Sequence, residues 1–259
     1  MATDKQCRWG FLSTATIGNK NWMAVQHSGN GIVAGVASRS VEKAQAFIDE
    51  CQSTVPFDSV PQAYGSYDEL LASDSIDAVY IPLPTGLRHD WVLKAAEAGK
   101  HVLCEKPCAR NIGELQSMVD ACAANGVQFM DGIMYMHTQR LQKIREVLDS
   151  PEGLGKLKRI AMQFSFCSDT DFQAGNIRTN SHLEPQGCLG DLGWYTIRFA
   201  LFAMKYKLPN RITATLINDF KRDDSPEAVP MEVECRMHFD EDDVTATFYN
   251  SFLTGHQQW

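Results

Sequence analysis

The sequence lacks the features that mark several classes of protein. It has no apolar run near the ~20 residues that a membrane-spanning helix needs, and its first residues hold neither an apolar signal core nor an Arg-rich presequence. Its eight cysteines include no Cys-x-x-Cys pair, and the tightest spacing, Cys104 to Cys108, has no second pair downstream at zinc-finger spacing. We therefore expect a cytoplasmic protein with reduced cysteines, no bound metal and no membrane contact.

An excess of positive charge is also absent. The chain has 24 Lys and Arg against 32 Asp and Glu, a formal charge of −8. Proteins that bind nucleic acid depend on basic patches, so we expect no nucleic-acid partner. The 44% hydrophobic and 22% charged residues are typical of a folded protein, and 259 residues suit one large domain or two small ones.

What is present in the first half is an alternation of strand-like and helix-like segments. The pattern predicts strands at 7–13, 32–37, 77–82, 101–104 and 127–135. Predicted helices lie between them, including one at 89–99, and Ser40, Ser66 and Asn111 are suitable N-caps. Strands and helices that alternate with short connections predict a doubly wound α/β domain on a parallel sheet, over residues 1–134.

The pattern changes after residue 134. A predicted helix at 138–148 is followed by strand-like runs at 158–166, 211–217, 232–239 and 244–252, interrupted by a helical segment at 190–205. The run at 232–239 alternates apolar and polar residues, which is typical of an antiparallel strand with one solvated face. We expect a second, α+β domain over residues 135–259, with an open and mostly antiparallel sheet.

The turn after the first strand is a candidate phosphate-binding loop. Compared with Gly-x-Gly-x-x-Gly, it keeps only the third glycine, Gly18, and replaces the first two with Ser13 and Ala15. In dinucleotide-binding folds such a turn brings backbone N–H groups to the pyrophosphate at a helix N-terminus. Small residues also occur in any tight strand-to-helix turn, so both interpretations stay open here.

The end of the second strand carries Ser38, Arg39 and Ser40. NAD-specific folds usually place Asp or Glu here to accept from the ribose 2′-hydroxyl. A hydroxyl and a planar guanidinium suit a 2′-phosphate instead. Alternatively, Arg39 is merely solvated and Ser40 caps a helix. Taken with the preceding turn, the segment favours NADP, with NAD as the other option.

Two further segments follow predicted strands. Pro82, Leu83 and Pro84 stand where prolines end strand pairing and open a crevice, and Glu105-Lys106-Pro107 follows the next strand. Lys106 precedes a proline and is therefore held extended beyond the strand. By itself, a lysine in this position is usually a solvated surface residue.

Together with the segment Gly187–Tyr195, these motifs resemble the glucose–fructose oxidoreductase, inositol dehydrogenase and rhizopine-catabolism (Gfo/Idh/MocA) family. The segment 101–107, with its Glu-Lys-Pro, resembles the family signature, and the stretch 187–195 is similar to the family's Gly-rich Asp-x-Gly-x-His/Tyr motif. The resemblance extends over essentially the whole chain. It is strongest to the NADP-using branch of sugar and dihydrodiol dehydrogenases.

The resemblance implies a Rossmann domain, a second domain with a large open sheet, and hydride transfer at a secondary alcohol or carbonyl of a sugar, polyol or cyclic diol. Lys106, Asp191 and Tyr195 are the implied catalytic residues. We hypothesise that Tyr195 transfers the proton, Lys106 is its electrostatic partner and Asp191 anchors the substrate; Lys106 as the base remains an alternative. The candidate cofactor-binding residues are Ser13, Thr14, Ala15, Thr16, Ile17, Ser38, Arg39, Pro82, Leu83, Pro84, His89, Glu105 and Lys106.

Two further expectations come from the resemblance. Family members continue well beyond the point that corresponds to Trp259, so we expect a truncated second domain. They commonly dimerise through the open sheet, which predicts a homodimer. The alternative function is a catalytically weak or inactive NADP-binding relative that acts as a sensor or as an oligomerisation partner.

Overall fold

The computed structural model describes residues 6–150 and 152–258. The chain divides between residues 132 and 133 into two compact units. In the described ranges, no helix has both the length and the apolar character needed to cross a membrane.

The first unit alternates strands and helices along its whole length. Its strands are β1 (Cys7–Leu12), β2 (Gly31–Ala37), β3 (Gln62–Tyr64), β4 (Ala78–Ile81), β5 (His101–Cys104) and β6 (Phe129–Asp131). Its helices are α1 (Ile17–His27), α2 (Val41–Thr54), α3 (Tyr67–Leu71), α4 (Thr85–Glu97) and α5 (Ile112–Ala124).

The six strands form one parallel sheet in the order β3-β2-β1-β4-β5-β6. This order confirms the predicted Rossmann architecture, because the chain runs outward from β1 in one direction and then from β4 in the other. Since all strands are parallel, their carboxyl ends lie along one edge of the sheet. An aromatic cluster of edge-to-face rings fills the core on one side: Phe11, Trp22, Phe47, Phe57 and Tyr80.

The second unit is a mixed sheet with helices. Its strands are β7 (Arg159–Cys167), β8 (Arg211–Phe220), β9 (Val229–Phe239), β10 (Val244–Ser251) and β11 (Leu253–Gln258), and its helices are α6 (Gln139–Asp149), α7 (Thr170–Gly175), α8 (Gly187–Asp191) and α9 (Gly193–Ala203). Short 3₁₀ turns lie at Met134–His137, Ile177–Thr179 and Asp240–Asp242.

The sheet order in this unit is β11-β7-β10-β9-β8. Only β7 and β10 pair in parallel; the other three pairs are antiparallel, which confirms the predicted mostly antiparallel sheet. Along β9 buried residues alternate with more exposed ones, because α8 and α9 pack against one face of the sheet. Met237, Phe239 and Phe248 belong to the core on that covered face.

Several predicted boundaries were wrong, and the sequence analysis did not predict β3 or β11. Helix α4 begins at Thr85 rather than at residue 89, because Pro84, with φ −56°, provides its N-cap. The strand predicted at 127–135 is limited to β6, because the chain enters a 3₁₀ turn at Met134. The helix predicted at 190–205 is divided at Leu192 into α8 and α9.

Candidate active site

Four of the sequence-predicted segments meet at one edge of the first sheet. The turn 13–17 follows β1, Ser38 and Arg39 follow β2, the segment 82–84 follows β4, and Glu105 and Lys106 follow β5. These strands are neighbours, in the order β2-β1-β4-β5. The carboxyl edge of a doubly wound sheet is where such folds bind ligands, so the fold gathers the predicted cofactor residues within the unit.

The turn after β1 has the backbone of a glycine motif although its first residue is serine. Ser13 has φ 140°, a conformation that favours glycine. Its Oγ accepts a hydrogen bond from the amide of Ala15 at 3.1 Å. At Gly18, an added Cβ would lie 3.0 Å from the ring of Phe47, so a side chain here would require that ring to shift. That close packing is the role of the third glycine in the dinucleotide motif.

The donors at this edge fit a dinucleotide phosphate. No side chain caps α1, whereas Ser40 accepts from the amide of Lys43 and caps α2. An uncapped helix N-terminus favours an anion. Ser38 is buried and Arg39 is exposed at the end of β2, so the guanidinium can reach a phosphate in solvent.

Tyr67, on α3, is a residue of this edge that the sequence analysis missed. Its hydroxyl hydrogen-bonds with Ser13, and it lies within electrostatic reach of Arg39. Burial raises the pKa of the Tyr67 phenol, and the Arg39 charge and the Ser13 hydrogen bond only partly oppose that shift. The phenol therefore stays protonated at neutral pH and links the phosphate turn to the Arg39 segment.

Glu105 is held by the protein itself. The Tyr80 hydroxyl donates to Glu105 Oε1 at 2.8 Å and in turn accepts from the Asn21 amide at 2.8 Å. The other carboxylate oxygen accepts from the backbone amide of Lys106 at 3.1 Å. Burial, followed by the charge of Glu105, strongly raises the pKa of Tyr80, which keeps it a donor. These contacts fix the direction of the chain at Lys106.

His89 is not grouped with the other candidates. Its Nε2 lies 2.8 Å from Ser117 Oγ on α5, and its Nδ1 lies 3.0 Å from the Asp90 carboxylate. The preceding residue, Arg88, is the one whose side chain reaches the segments that follow β4 and β5. A one-residue step along a helix turns a side chain by about 100°, which a motif comparison does not resolve.

The second unit brings Asp191 and Tyr195 close together. Asp191 ends α8, and Tyr195 lies in the first turn of α9, where its amide donates to the Leu192 carbonyl at 3.1 Å. The Arg178 guanidinium contacts Asp191, with 2.8 Å between Nε and Oδ2. Asp191 is 13% exposed and Arg178 36%, so this ion pair is partly shielded from water.

Arg178 lies between two carboxylates. Burial by itself would lower its pKa, but the charge and hydrogen bond of Asp191 and the charge of Glu184 raise the pKa of the guanidinium above its usual range. Tyr195 also lies near enough to contribute to that shift. Arg178 therefore pairs with the Asp191 carboxylate and places a positive charge near the Tyr195 phenol. It carries no sequence signal of its own.

Aromatic rings surround Tyr195. The Tyr135 ring centroid lies 5.7 Å away and that of Phe164 5.3 Å. The Tyr135 hydroxyl donates to the backbone carbonyl of Tyr195 at 3.1 Å. Aromatic faces beside an ionised carboxylate can receive the C–H face and the hydroxyls of a polyol.

The glycine-rich motif before Asp191 has a packing reason. Gly187 has φ 46°, and an added Cβ would lie 2.2 Å from the carbonyl oxygen of Pro230 on β9. Only glycine permits this approach. It lets α8 lie close against β9 and so places Asp191 at the end of the helix. Among the described residues, no group of three or more His, Cys, Asp or Glu could hold a metal ion.

The fold and these residues define a two-domain protein with a Rossmann nucleotide-binding unit and a second unit built on a mixed sheet. A family model described as "Oxidoreductase family, NAD-binding Rossmann fold" matches residues 7–133, and the GFO/IDH/MocA C-terminal domain matches residues 141–259. The chain belongs to the Gfo/Idh/MocA oxidoreductase family.

Relatives in this family include enzymes of sugar and diol metabolism. The chain is 37% identical over 207 residues to a D-xylose 1-dehydrogenase (NADP(+)) of Haloferax volcanii. It is 30% identical over 213 residues to a trans-1,2-dihydrobenzene-1,2-diol dehydrogenase of Xenopus laevis. Each match covers 80% of this chain and 59% of the relative. The chain thus spans under two thirds of the length of these relatives.

A solved structure gives a similar result. A mutant 3-ketoreductase of Actinomadura kijaniata, in complex with TDP-benzene and NADP, superposes with a TM-score of 0.84 at 25% identity. That match covers 98% of this chain and 72% of the other.

Proposed function

We propose that the chain is an NADP-dependent oxidoreductase that transfers hydride between a nicotinamide and a secondary alcohol or carbonyl of a sugar, polyol or cyclic diol. The observation that carries the proposal is the meeting of four candidate cofactor segments at the carboxyl edge of one parallel sheet, with the glycine-like turn at Ser13. The names of a sugar dehydrogenase and a diol dehydrogenase among the relatives support it. NADP is preferred over NAD because Arg39 and the buried Ser38 stand where an NAD site would carry an acid.

The proposed cofactor site comprises Ser13, Thr14, Ala15, Thr16 and Ile17 around the phosphates, Ser38 and Arg39 at the 2′-phosphate, and Pro82, Leu83, Pro84, Glu105 and Lys106 nearer the nicotinamide. His89 enters this set from the motif alone, since its ring lies against Ser117. A bound nicotinamide supplies the hydride acceptor or donor. The remaining chemistry, which is the movement of one proton and the placement of the substrate oxygen, belongs to the chain.

In the oxidation direction, the carbinol carbon loses hydride while its hydroxyl loses a proton. We assign the proton to the phenol oxygen of Tyr195, which accepts it from the substrate hydroxyl. The Arg178 guanidinium lies within electrostatic reach of Tyr195 in the same unit. Lys106 keeps the role that the family resemblance implies, as an electrostatic partner or as the base itself. Asp191, held in place by Arg178, accepts hydrogen bonds from substrate hydroxyls. In the reduction direction the same phenol returns the proton.

The test is cofactor fluorescence followed by turnover. NADPH and NADH are titrated into the chain, and then a panel of aldoses, polyols and cyclic diols is added with either nicotinamide. Tighter binding of NADPH than of NADH and turnover of at least one panel member support the proposal. Binding without turnover supports the sensor or oligomerisation partner instead, an alternative that the enzymatic relatives do not favour. Absence of binding to both nucleotides rejects the proposal.

Two wider parts of the proposal concern location and assembly. Six of the eight cysteines are buried, and all eight are free thiols, which suits the reducing cytoplasm.

The solvent-facing side of the second sheet presents Arg159, Thr213, Glu234, Arg236, Thr247 and Tyr249. We propose this face as a homodimer interface. Sedimentation equilibrium tests it, and Arg236→Glu, which reverses a charge on that face, should shift the equilibrium toward monomer.

A further inference from the structure

Arg88 is a buried cation beside the proposed cofactor site. It is the fourth residue of α4 and is only 5% exposed. A charge taken out of water is costly unless hydrogen bonds replace its hydration. Its partners therefore indicate what the charge is used for.

The guanidinium joins the segments that follow two neighbouring strands. Its Nε donates to the carbonyl oxygen of Leu83 at 2.6 Å, just after β4. Its Nη1 donates to the carbonyl oxygen of Pro107, just after β5, and to Thr85 Oγ1 at 3.0 Å. The Thr85 hydroxyl also donates to the Pro107 carbonyl, at 3.4 Å. One planar group thus ties together the backbones of the two segments that contain Pro82–Pro84 and Lys106.

We propose that Arg88 is a positioning residue that fixes the backbone next to Lys106 against the 82–84 segment. The inference rests on the proposed function and deepens it, because it explains how a lysine on a loop keeps one place at the cofactor edge. Glu105 holds the chain on the amino side of Lys106 through its hydrogen bond to the Lys106 amide. Arg88 holds it on the carboxyl side through Pro107. A lysine that must act at one atom of a bound ligand needs such support on both sides.

The geometry requires arginine at this position. Nε reaches the Leu83 carbonyl, and Nη1 reaches both the Pro107 carbonyl and the Thr85 hydroxyl. A lysine ammonium is instead a single point charge on a flexible stem. Arg88→Lys should therefore keep the buried charge but satisfy only some of these acceptors. The Arg88→Lys variant therefore separates the effect of the positive charge from the effect of the planar guanidinium geometry.

The same unit contains a matched control. Lys100 is also buried, at 8% exposure, and its Nζ also donates to two carbonyl oxygens, those of Ser73 and Ile76, at 2.8 and 2.9 Å. It precedes β5 and so lies at the opposite, amino edge of the sheet. Lys100→Gln removes a comparable buried cation without touching the proposed cofactor site.

The experiment compares Arg88→Gln, Arg88→Lys and Lys100→Gln with the wild-type chain. The readouts are thermal unfolding, the Kd for NADPH by fluorescence, and hydrogen exchange of the segments 82–87 and 104–109. We expect Arg88→Gln to raise the Kd about tenfold or more and to expose both segments, as the loss of a charged hydrogen bond implies. Arg88→Lys should give a smaller increase. Lys100→Gln should lower the melting temperature and leave the Kd unchanged.

For any panel substrate that is turned over, kcat should fall for Arg88→Gln with a smaller change in the substrate KM, since the substituted residue does not contact the substrate. An Arg88→Gln variant that folds and binds NADPH with the wild-type Kd overturns the inference. So does a Lys100→Gln variant with an equal rise in Kd. If Arg88→Gln does not fold, the Kd of Arg88→Lys decides, and a wild-type value again overturns the inference. A wild-type chain that binds no nicotinamide nucleotide instead rejects the proposed function.

Discussion

The Arg178 guanidinium lies 2.8 Å from the carboxylate of Asp191, and the charge of Glu184 also acts on it. A guanidinium paired with a carboxylate limits the rotation of that carboxylate. The candidate substrate anchor is therefore built from a 3₁₀ turn at Ile177–Thr179 as well as from the Gly187–Tyr195 motif.

Replacing Arg178 should weaken catalysis more than folding. Arg178→Gln leaves the Asp191 carboxylate without this charged contact, and we expect kcat to fall about 10- to 100-fold, since a charged hydrogen bond contributes about 1.5–3 kcal/mol. Arg178→Lys should give a kcat between that of the wild-type chain and that of Arg178→Gln. The exposed Arg140 of the same unit provides the control, Arg140→Gln. Equal kcat values for the Arg178→Gln and Arg140→Gln variants would contradict the role.

Tyr195→Phe tests the proton-transfer assignment. Removing a general acid–base group costs about 10²- to 10⁴-fold in rate, while NADPH binding should stay unchanged. The control is Tyr206→Phe, at an exposed tyrosine of the same unit. Rates are measured across pH in both reaction directions. If Tyr195→Phe keeps the wild-type kcat across pH while Lys106→Met loses it, Lys106 is the base and the assignment to Tyr195 is wrong.

Arg39→Gln should change nucleotide preference. The variant loses the proposed contact with the 2′-phosphate, so we expect the Kd for NADPH to rise about 10- to 100-fold and the Kd for NADH to change little. Arg110→Gln, at an exposed arginine that pairs with Glu114 in the same unit, controls for the loss of one positive charge. The measurement is the ratio of the two dissociation constants for each variant. An unchanged ratio for Arg39→Gln would remove Arg39 from the cofactor site.

Gly187→Ala should destabilise the second unit. A Cβ there would overlap the Pro230 carbonyl, and the positive φ is unfavourable for alanine, so we expect a loss of at least about 2 kcal/mol. Gly175→Ala is the matched control, because an added Cβ at Gly175 meets no atom within 4 Å. Urea unfolding measures both variants. Similar midpoints for the two would show that the backbone near β9 adjusts freely.

Thiol chemistry should follow burial. Burial raises the pKa of Cys188 to about 12 and that of Cys51 to about 11, whereas Cys167 is exposed. A disulfide reagent at pH 8 should therefore modify Cys167 rapidly and the buried thiols only after denaturant is added. Cys167→Ser should remove the rapid phase, and a rapid phase that remains would contradict the assignment.

The same shifts predict a loss of stability in alkali. The pKa of these two thiols is higher in the folded state than the ordinary value of 9.0. Their contribution to the free energy of unfolding is therefore complete below pH 9. It is lost as the pH rises through about 11 to 12. The free energy of unfolding, measured between pH 8 and pH 11, should fall as the pH rises.

Much of the first unit could be predicted from sequence because its signals are local. The alternation of strands and helices follows from the spacing of hydrophobic residues along the chain. The structure confirms the N-caps at Ser40, Ser66 and Asn111, each of which accepts from the backbone amide three residues later. The strand-end position of Lys106 was predictable for the same reason.

The remaining site residues could not be found this way because their roles depend on partners distant in the chain. Arg178 has no motif, yet it contacts Asp191 thirteen positions later. His89 matched the expected pattern, but Arg88 is the residue that reaches Leu83 and Pro107. Helical phase and tertiary packing select between neighbouring side chains, and neither is visible in a motif.

By itself, the sequence determined most of the elements, the class of the two units and the family, because the spacing of hydrophobic residues, the helix caps and the motif residues are properties of short segments. It did not determine the short strands β3 and β11. Only the tertiary structure decided which partner each charged side chain contacts: Arg88 two strand-end carbonyls, Arg178 the Asp191 carboxylate, and Glu105 the Tyr80 hydroxyl. Burial and long-range hydrogen bonds arise only when distant segments meet. The precision of the candidate site therefore depends on the fold.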